Sequence, residues 1–383
     1  MSQSAATASR EHVPTAAREQ IKIPGLGPWA WARANLFGNW WSTAITLALG
    51  YLILRVVFGL VEWGLVHAIW SVPYSDTGTP DTSVCQEAKG TGACWAVIAD
   101  KYRLILFGRY PYDQQWRPAI VVLLFIGLYA VSAMRRFWRK ELILIWIGTL
   151  TVIFVLMFGG IPGLPLVTED FWGGLPLTLI LATFGLAFAF PLAVLVALGR
   201  RSTGLPAVKL LCVLYVELIR GVPLIAFLFM ASVMFPLFMP EGVNVNKLLR
   251  AQIAFILFSA AYLAEVVRGG LQSLPKGQGE AADALGLNYW QKTGFIVLPQ
   301  ALRLVIPPLV NTFIGAFKDT SLVLIIGLFD LLTMGKVALS DPPWQSFSTE
   351  VYIFLALIYI AFCFAMSKYS RSLERDLNRS RLR

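Results

Sequence analysis

About eight stretches of this chain run for roughly 18 residues or more almost without charge, long enough to cross the roughly 30 Å hydrocarbon core of a bilayer as helices. They fall at 42–66, 118–134, 141–158 and 175–198, within 208–239, and at 248–267, 295–316 and 350–367. In lipid each backbone N–H and C=O must find its partner within the protein. Continuous apolar blocks rather than alternating ones make those partners helical. The composition agrees, with 57% hydrophobic and only 14% charged residues, against about 25% charged in a soluble domain. The predicted fold class is an all-α polytopic membrane protein. The stretch 322–339 is apolar but interrupted by Asp330 and Lys336. It reads as a helical segment at the outer surface, with a ninth crossing as the alternative.

Basic residues gather in short loops on the cytoplasmic side of a membrane. "RRFWRK" (135–140) follows the second span, Arg200, Arg201 and Lys209 follow the fourth, and the tail "KYSRSLERDLNRSRLR" holds six cations, whereas 159–174 holds none. Both termini are therefore expected inside. The net charge of +10 is a topology signal and an attraction to anionic membrane lipid, not a nucleic-acid footprint. Residues 1–40 read as a cytoplasmic tail rather than a signal peptide, because no apolar run with a small-residue cleavage site follows the first charges. The chain divides near residue 170 into three leading spans (41–170), with an outer loop at 68–117, and a second part at 171–370 followed by a basic tail at 371–383.

Cys85 and Cys94 share that outer loop, where an oxidising compartment would favour a disulfide; two free thiols are the alternative. Cys212 and Cys363 fall inside spans and read as buried apolar fillers. Arg55 and Glu62 lie seven residues apart on one helix face, and a mutual ion pair is the expected reason for two charges within a span. Beyond residue 172, "FAFPLAV", "RGVPLIAF" and "LVIPPLVN" interrupt helices with proline and glycine. Broken helices at membrane depth line protein or a water-filled cavity, so these point either to a path for a polar solute or to kinked packing.

The stretch "GQGEAADALGLNYWQKTGFIVLP" (277–299) is a polar excursion between greasy blocks, placed in the cytoplasm by the alternation of sides. Helix formers open it, Gly286 offers a sharp stop, and "YWQKTG" leads into the next span. A short helix, a glycine elbow and a second short helix are expected, with Ala281, Ala282, Leu285 and Leu287 on one side for close contact with another protein. Glu280-Ala281-Ala282, three residues, Gly286, nine residues, Ile296, one residue and Leu298-Pro299 is similar to the EAA signature of permease subunits of bacterial ABC importers. "TLILATFGLAFAFPLAVLVALGRRS", "ELIRGVPLIAFLF", "AAYLAEVVRGGLQSLPKGQGEAADALGL", "VLPQALRLVIPPLVN" and "KDTSLVLIIGL" resemble the polar amino-acid importers of the histidine/glutamine type. The likeness covers about 172–377, and the three extra spans before it resemble the larger permeases of general L-amino-acid transporters. Ala226, where the family commonly has Gln, and the absence of a "YFGLP" ending depart from that pattern.

The resemblance implies a type I importer permease core (171–370) whose coupling loop (269–295) docks on a separate ATPase. Glu280 would contact the ATPase, Ala281 and Ala282 would allow close approach, Gly286 would set the elbow and Leu287 would complete it. No G-x-x-x-x-G-K-[ST] string exists in the sequence, so ATP and Mg²⁺ belong to the partner, and this chain carries no cofactor or metal and is not itself an enzyme. The partners implied are a second homologous permease, homodimeric cytoplasmic ATPase subunits and a periplasmic amino-acid-binding protein, in a bacterial inner membrane. For the solute path the candidates at membrane depth are Glu265 with Arg268 and Lys318 with Asp319, each of which also reads as a structural pair at a helix end. An ion-coupled secondary transporter or channel working without ATP, or a membrane scaffold, stays open on the residues alone.

Overall fold

The computed structural model describes residues 27–379, apart from 77, 203, 243 and 244. Most of the expected N-terminal tail and the last four residues of the basic tail lie outside the described residues. Seven helices are long and apolar enough to cross a membrane, and a bent pair, counted as one span, makes eight among the described residues. The chain divides into two compact units, residues 1–68 with 90–92 and residues 69–89 with 93–383.

In the first unit a short helix, Pro28–Leu36, precedes α1, Trp40–Val61, which widens into a π-helical turn ending at Val66. Asn39 caps α1 by accepting the Ser42 N–H at 2.8 Å. The expected Arg55–Glu62 pair does not form: both residues are exposed and no ion pair joins them. Seven residues climb about 10.5 Å along a helix, whereas side chains meet at spacings of three and four.

The second unit holds the remaining spans: α3 (Trp116–Ala133), α4 (Glu141–Phe158), α5 (Gly174–Arg200), the bent pair α6 (Pro206–Arg220) and α7 (Leu224–Leu237), α8 (Lys247–Gln272), α10 (Leu298–Asp319) and α12 (Ser348–Arg379). Before them comes α2, Ala96–Phe107; α9, Lys276–Ala284, follows α8, and α11, Leu331–Ala338, precedes α12. Of the three interruptions seen in the sequence only "RGVP" breaks a helix, where α6 and α7 meet at 105°. Pro191 lies within α5 and Pro307 with Pro308 within α10, and both helices run on through them.

α5 and α8 form the central pair. At their contact Gly185 has no Cβ, and one added there would sit 2.4 Å from the Phe255 ring. Helices in lipid gain no hydrophobic energy by meeting, so close van der Waals fit between small and large residues holds them. The position near residue 170 is not a packing boundary. Val121 and Phe125 of α3 and Ile153 and Met157 of α4 share one buried cluster with Leu175 and Leu179 of α5, and the Tyr129 and Thr183 hydroxyls bond at 2.5 Å. Arg117 is fully buried and donates to the Leu156 and Pro165 carbonyls at 2.6 and 2.9 Å, which fixes α3 to the connection after α4.

Residues 69–89 and 93–110 fold as a cap over the end of the bundle where α5 begins. The Cys85–Cys94 disulfide is present, with Cα atoms 5.6 Å apart. Three polar contacts fasten the cap to the segment before α12 and to that helix's first turn. The Cys94 N–H donates to the buried Glu350 carboxylate at 3.0 Å, the Trp344 indole N–H donates to Asp100 at 2.7 Å, and Lys101 bridges Asp100 and Asp341 at 3.0 and 2.6 Å. The stretch 322–339 does not cross. It forms a 3-10 turn at Thr320–Ile326 and then α11, folded inward rather than lying on the surface, with Asp330, Leu331 and Met334 fully buried. Asp330 caps α11 by accepting the Leu332 and Thr333 N–H groups at 3.1 and 3.0 Å, and burial pushes its carboxyl above the usual carboxylate range. Cys212 and Cys363 are free and half-buried rather than buried.

Gly185→Val adds volume where no room exists, at a cost of about 1–3 kcal/mol. The thermal midpoint of the detergent-solubilised protein is expected to fall by several degrees, while Gly148→Val, which meets nothing within 4 Å, leaves it unchanged. Equal midpoints for the two variants would remove the central role given to this contact.

Candidate functional site

At the end of the bundle away from the cap, α9 closes in a Schellman arrangement. The Leu287 N–H donates to the Ala282 carbonyl at 3.2 Å and the Gly286 N–H to the Asp283 carbonyl at 3.0 Å. Gly286 has φ +74°, a left-handed conformation that a side chain disfavours. The chain restarts at once, because Asn288 and Gln291 form a reciprocal capping box through bonds of 3.0 and 2.9 Å. Tyr289–Gln291 then runs through a π-helical turn, Lys292–Val297, into α10 without a break. Lys292 clamps the two arms of the elbow together on Asp283 at 2.6 Å, and Gln300 of α10 donates to Gln278 of α9 at 3.2 Å.

The elbow's faces differ from the sequence expectation. Ala282 is 1% exposed and faces the chain's own π-helical turn, while Glu280 and Ala281 are exposed and Leu287 is half-buried. Successive helical residues point about 100° apart, so Ala281 and Ala282 cannot share a side, and Leu285 and Leu287 lie past the helix where the chain reverses hand. The outward face is instead apolar and bulky, with Leu285 at 77% and Trp290 at 71% exposure.

Glu265 and Arg268 are brought together, within a larger charged cluster at this same end. Glu265 accepts from Arg200 at 2.7 Å, from Arg268 through both carboxylate oxygens, and lies 3.9 Å from Arg220. Arg200 also holds Glu217 at 2.9 Å. Three arginines therefore surround one carboxylate and join α5, α6 and α8. Glu265 has little capacity left for a solute ammonium, and neither it nor Arg268 lines the cavity that Asp319 borders.

Lys318 and Asp319 part company: Lys318 is exposed, while Asp319 lines a cavity of about 460 Å³ between α7, α8 and α10. The cavity also takes in Ser259 and Tyr262 of α8 and Asn311, Thr312 and Gly315 of α10. Ser259 is 4% exposed, and Ser259, Tyr262 and Asn311 make no side-chain hydrogen bond to another described residue, just as Asp319 has no ion pair. Asp319 is half-buried and Tyr262 and Asn311 are exposed, so several polar groups without a protein partner border a single space of ligand size and can receive a polar guest. The sequence analysis missed all but Asp319. A signal was present: Asn311, Gly315 and Asp319 stand at i, i+4 and i+8, and Ser259 and Tyr262 at i and i+3, each set on one helical face.

Residues 189–379 match the family described as binding-protein-dependent transport system inner membrane component. The chain is 48% identical over 357 residues to the inner membrane amino-acid ABC transporter permease protein YhdY of Escherichia coli strain K12, covering 92% of this chain and 93% of that one. It is 38% identical to the glutamate/glutamine/aspartate/asparagine transport system permease protein BztC of Rhodobacter capsulatus, covering 93% and 95%. The probable glutamine ABC transporter permease protein GlnP of Bacillus subtilis is 34% identical over 203 residues, which are 53% of this chain and 91% of that one. A bundle of membrane-length helices, the spaced EAA elbow between two of them, and a likeness that runs along nearly the whole chain lead to one conclusion: the chain belongs to the binding-protein-dependent transport system inner membrane components, as a multi-pass permease.

Proposed function

We propose that this chain is a permease subunit of an ATP-driven importer that moves L-amino acids from periplasm to cytoplasm. The observation that carries the substrate class is the 48% identity, across 92% of the chain, to an amino-acid permease. The open polar cavity supports it, since an amino acid offers an ammonium for Asp319 and a carboxylate for the hydroxyl and amide donors. In this reading the elbow face is cytoplasmic and the cap periplasmic, with both termini inside. A homodimeric ATPase binds ATP with Mg²⁺ and docks on Leu285, Trp290 and Glu280, a second, homologous permease completes the pathway, and a binding protein delivers the solute from outside.

The elbow gives the coupling a mechanical form. It is capped on both arms, clamped by Lys292 on Asp283, and continuous with α10. Thirteen residues into that span stands Asn311 and twenty-one in stands Asp319, about 20 and 32 Å from the start of α10 at 1.5 Å per residue. A tilt of the elbow imposed by closing ATPases therefore moves one wall of the cavity against the Ser259–Tyr262 wall on α8. ATP on one side and loaded binding protein on the other bias the same two-state equilibrium.

Two outcomes follow. A β-branched side chain at φ +74° costs about 1–2 kcal/mol, so Gly286→Val is expected to cut uptake per ATP hydrolysed about tenfold in proteoliposomes, with the complex still assembled. Uptake per ATP equal to that of the unaltered protein would remove the elbow from the coupling path. Asp319→Asn loses a charged contact to the solute, of about 1.5–3 kcal/mol, and is expected to weaken binding of radiolabelled L-amino acids to the purified complex at least tenfold. Glu265→Gln instead lowers the yield of folded protein and leaves that affinity in place. Intact affinity in Asp319→Asn, or affinity lost in Glu265→Gln at normal yield, would reverse the assignment of the two carboxylates.

A further inference from the structure

Among the described spans α1 is the one that buries no residue. A helix that faces lipid all round can be made without charge. α4, of comparable hydropathy, leaves most of its surface exposed and carries no ionisable side chain after Glu141, its first residue. α1 carries Arg55 instead. With its π-helical turn it runs from Trp40 to Val66, 27 residues, or about 40 Å at 1.5 Å per residue. Centred on a hydrocarbon core of roughly 30 Å, that length puts Arg55 about 11 Å inside one boundary and Glu62 at the boundary itself. Glu62 reaches water from there. Arg55 does not, since the depth exceeds the length of its side chain, and it forms no ion pair among the described residues. Ionisable groups at such depth are costly and face protein rather than lipid.

The surroundings of Arg55 fit contact with another helix. At about 100° per residue, Ala44, Ala48, Tyr51, Arg55, Gly59 and Glu62 fall within about 80° of one another, and all are exposed. From Leu52 to Val61 the other faces hold only Leu, Ile, Val and Phe. Small residues let two helix backbones approach in lipid, and polar ones hold them together. The carboxylates that other spans of this chain hold at membrane depth are already in use. Arginines hold Glu217 and Glu265, Glu350 is bound to the cap, and Asp319 borders the solute cavity. A second copy of this chain serves no better. Its α1 would run parallel, because both copies insert with the same orientation, so Arg55 would meet Arg55 and Glu62 would meet Glu62.

We infer that α1 is a docking helix for a different membrane subunit, and that Arg55 receives a carboxylate which a transmembrane helix of that partner carries at the same depth. In the importer reading, on which this rests, the partner is the second permease. α1 lies outside 189–379, the stretch that matches the family model, so the contact is one that the shared core does not itself provide.

The test uses the assembled transporter, with both permeases and the ATPase, in its native membrane. A photo-crosslinking phenylalanine analogue takes the place of Tyr51, one turn before Arg55, or of Ile53, on the opposite face. The Tyr51 probe is expected to trap the second permease, identified by mass, and the Ile53 probe to trap no protein. Adding Arg55→Leu is expected to lower the Tyr51 crosslink about threefold, whereas Arg55→Lys, which keeps the cation, retains most of it. Leucine enters the membrane more readily than arginine, so a crosslink lost in Arg55→Leu is not a failure to span. Equal trapping from Tyr51 and Ile53 overturns the inference, as does a Tyr51 crosslink to a second copy of this chain, to another of its own spans or to lipid alone. A crosslink undiminished in Arg55→Leu, or no stronger in Arg55→Lys than in Arg55→Leu, overturns it as well. In each of these cases ATP-driven uptake by the unaltered complex keeps the importer reading intact. A native membrane in which no second permease accompanies the unaltered chain removes that reading, and this inference with it.

Discussion

Where α5 meets α8, the missing Cβ of Gly185 lets the Phe255 ring lie against the helix backbone, and the rest of the larger unit is arranged around this contact. α5 carries the cap and α3 at one end, through Leu175, Leu179 and the Thr183 hydroxyl, and Arg200 at the other. α8 supplies the Ser259–Tyr262 wall of the cavity and then Glu265 and Arg268. In lipid two apolar helices have no solvent-driven reason to associate. A fit this close is what gives the pair a single register, and the register decides which polar groups face the cavity and which face the charged cluster.

The two sets of polar groups are treated in opposite ways. In the cluster of Arg200, Glu217, Arg220, Glu265 and Arg268, the carboxylates are matched by guanidinium groups from three helices, as ionisable groups in a membrane protein must be. In the cavity, Asp319, Ser259, Tyr262 and Asn311 lack such partners. Ser259 alone among them is buried, and Tyr262 and Asn311 are exposed. In the proposed importer these open groups belong to the solute path, and the matched charges of the cluster belong to the scaffold.

Much of this was legible in the sequence where the signal is local. The spans follow from charge-free length, the elbow from Gly286 and the spacing around it, and the cap disulfide from two cysteines in one loop. What was not legible depends on contacts between distant segments. Glu265 could be matched only with Arg268 because its other partners, Arg200 and Arg220, lie 65 and 45 residues away. Ala282 looked outward-facing because the chain that covers it comes after the turn. The boundary near residue 170 looked real because hydropathy does not report that α3 and α4 pack on α5. Arg55 and Glu62 show the converse error, in which two charges on one face were taken for a pair although two turns separate them.

The fold also brings two signals to one bundle by separate routes. The elbow continues into α10 and so reaches Asn311 and Asp319 through a single rigid helix. The cap is joined through Glu350 to the start of α12, and α12 packs along α10, where the Phe317 ring meets Tyr359 and Phe362. Phe317 stands two residues before Asp319. Contacts from both ends therefore reach the same turn of α10, which is the turn that borders the cavity. In the proposed importer, two sites that bias one element in this way would be energetically coupled, and reciprocally so: a force on the cap that favours one arrangement of α10 would also change how readily the elbow is moved from the other side.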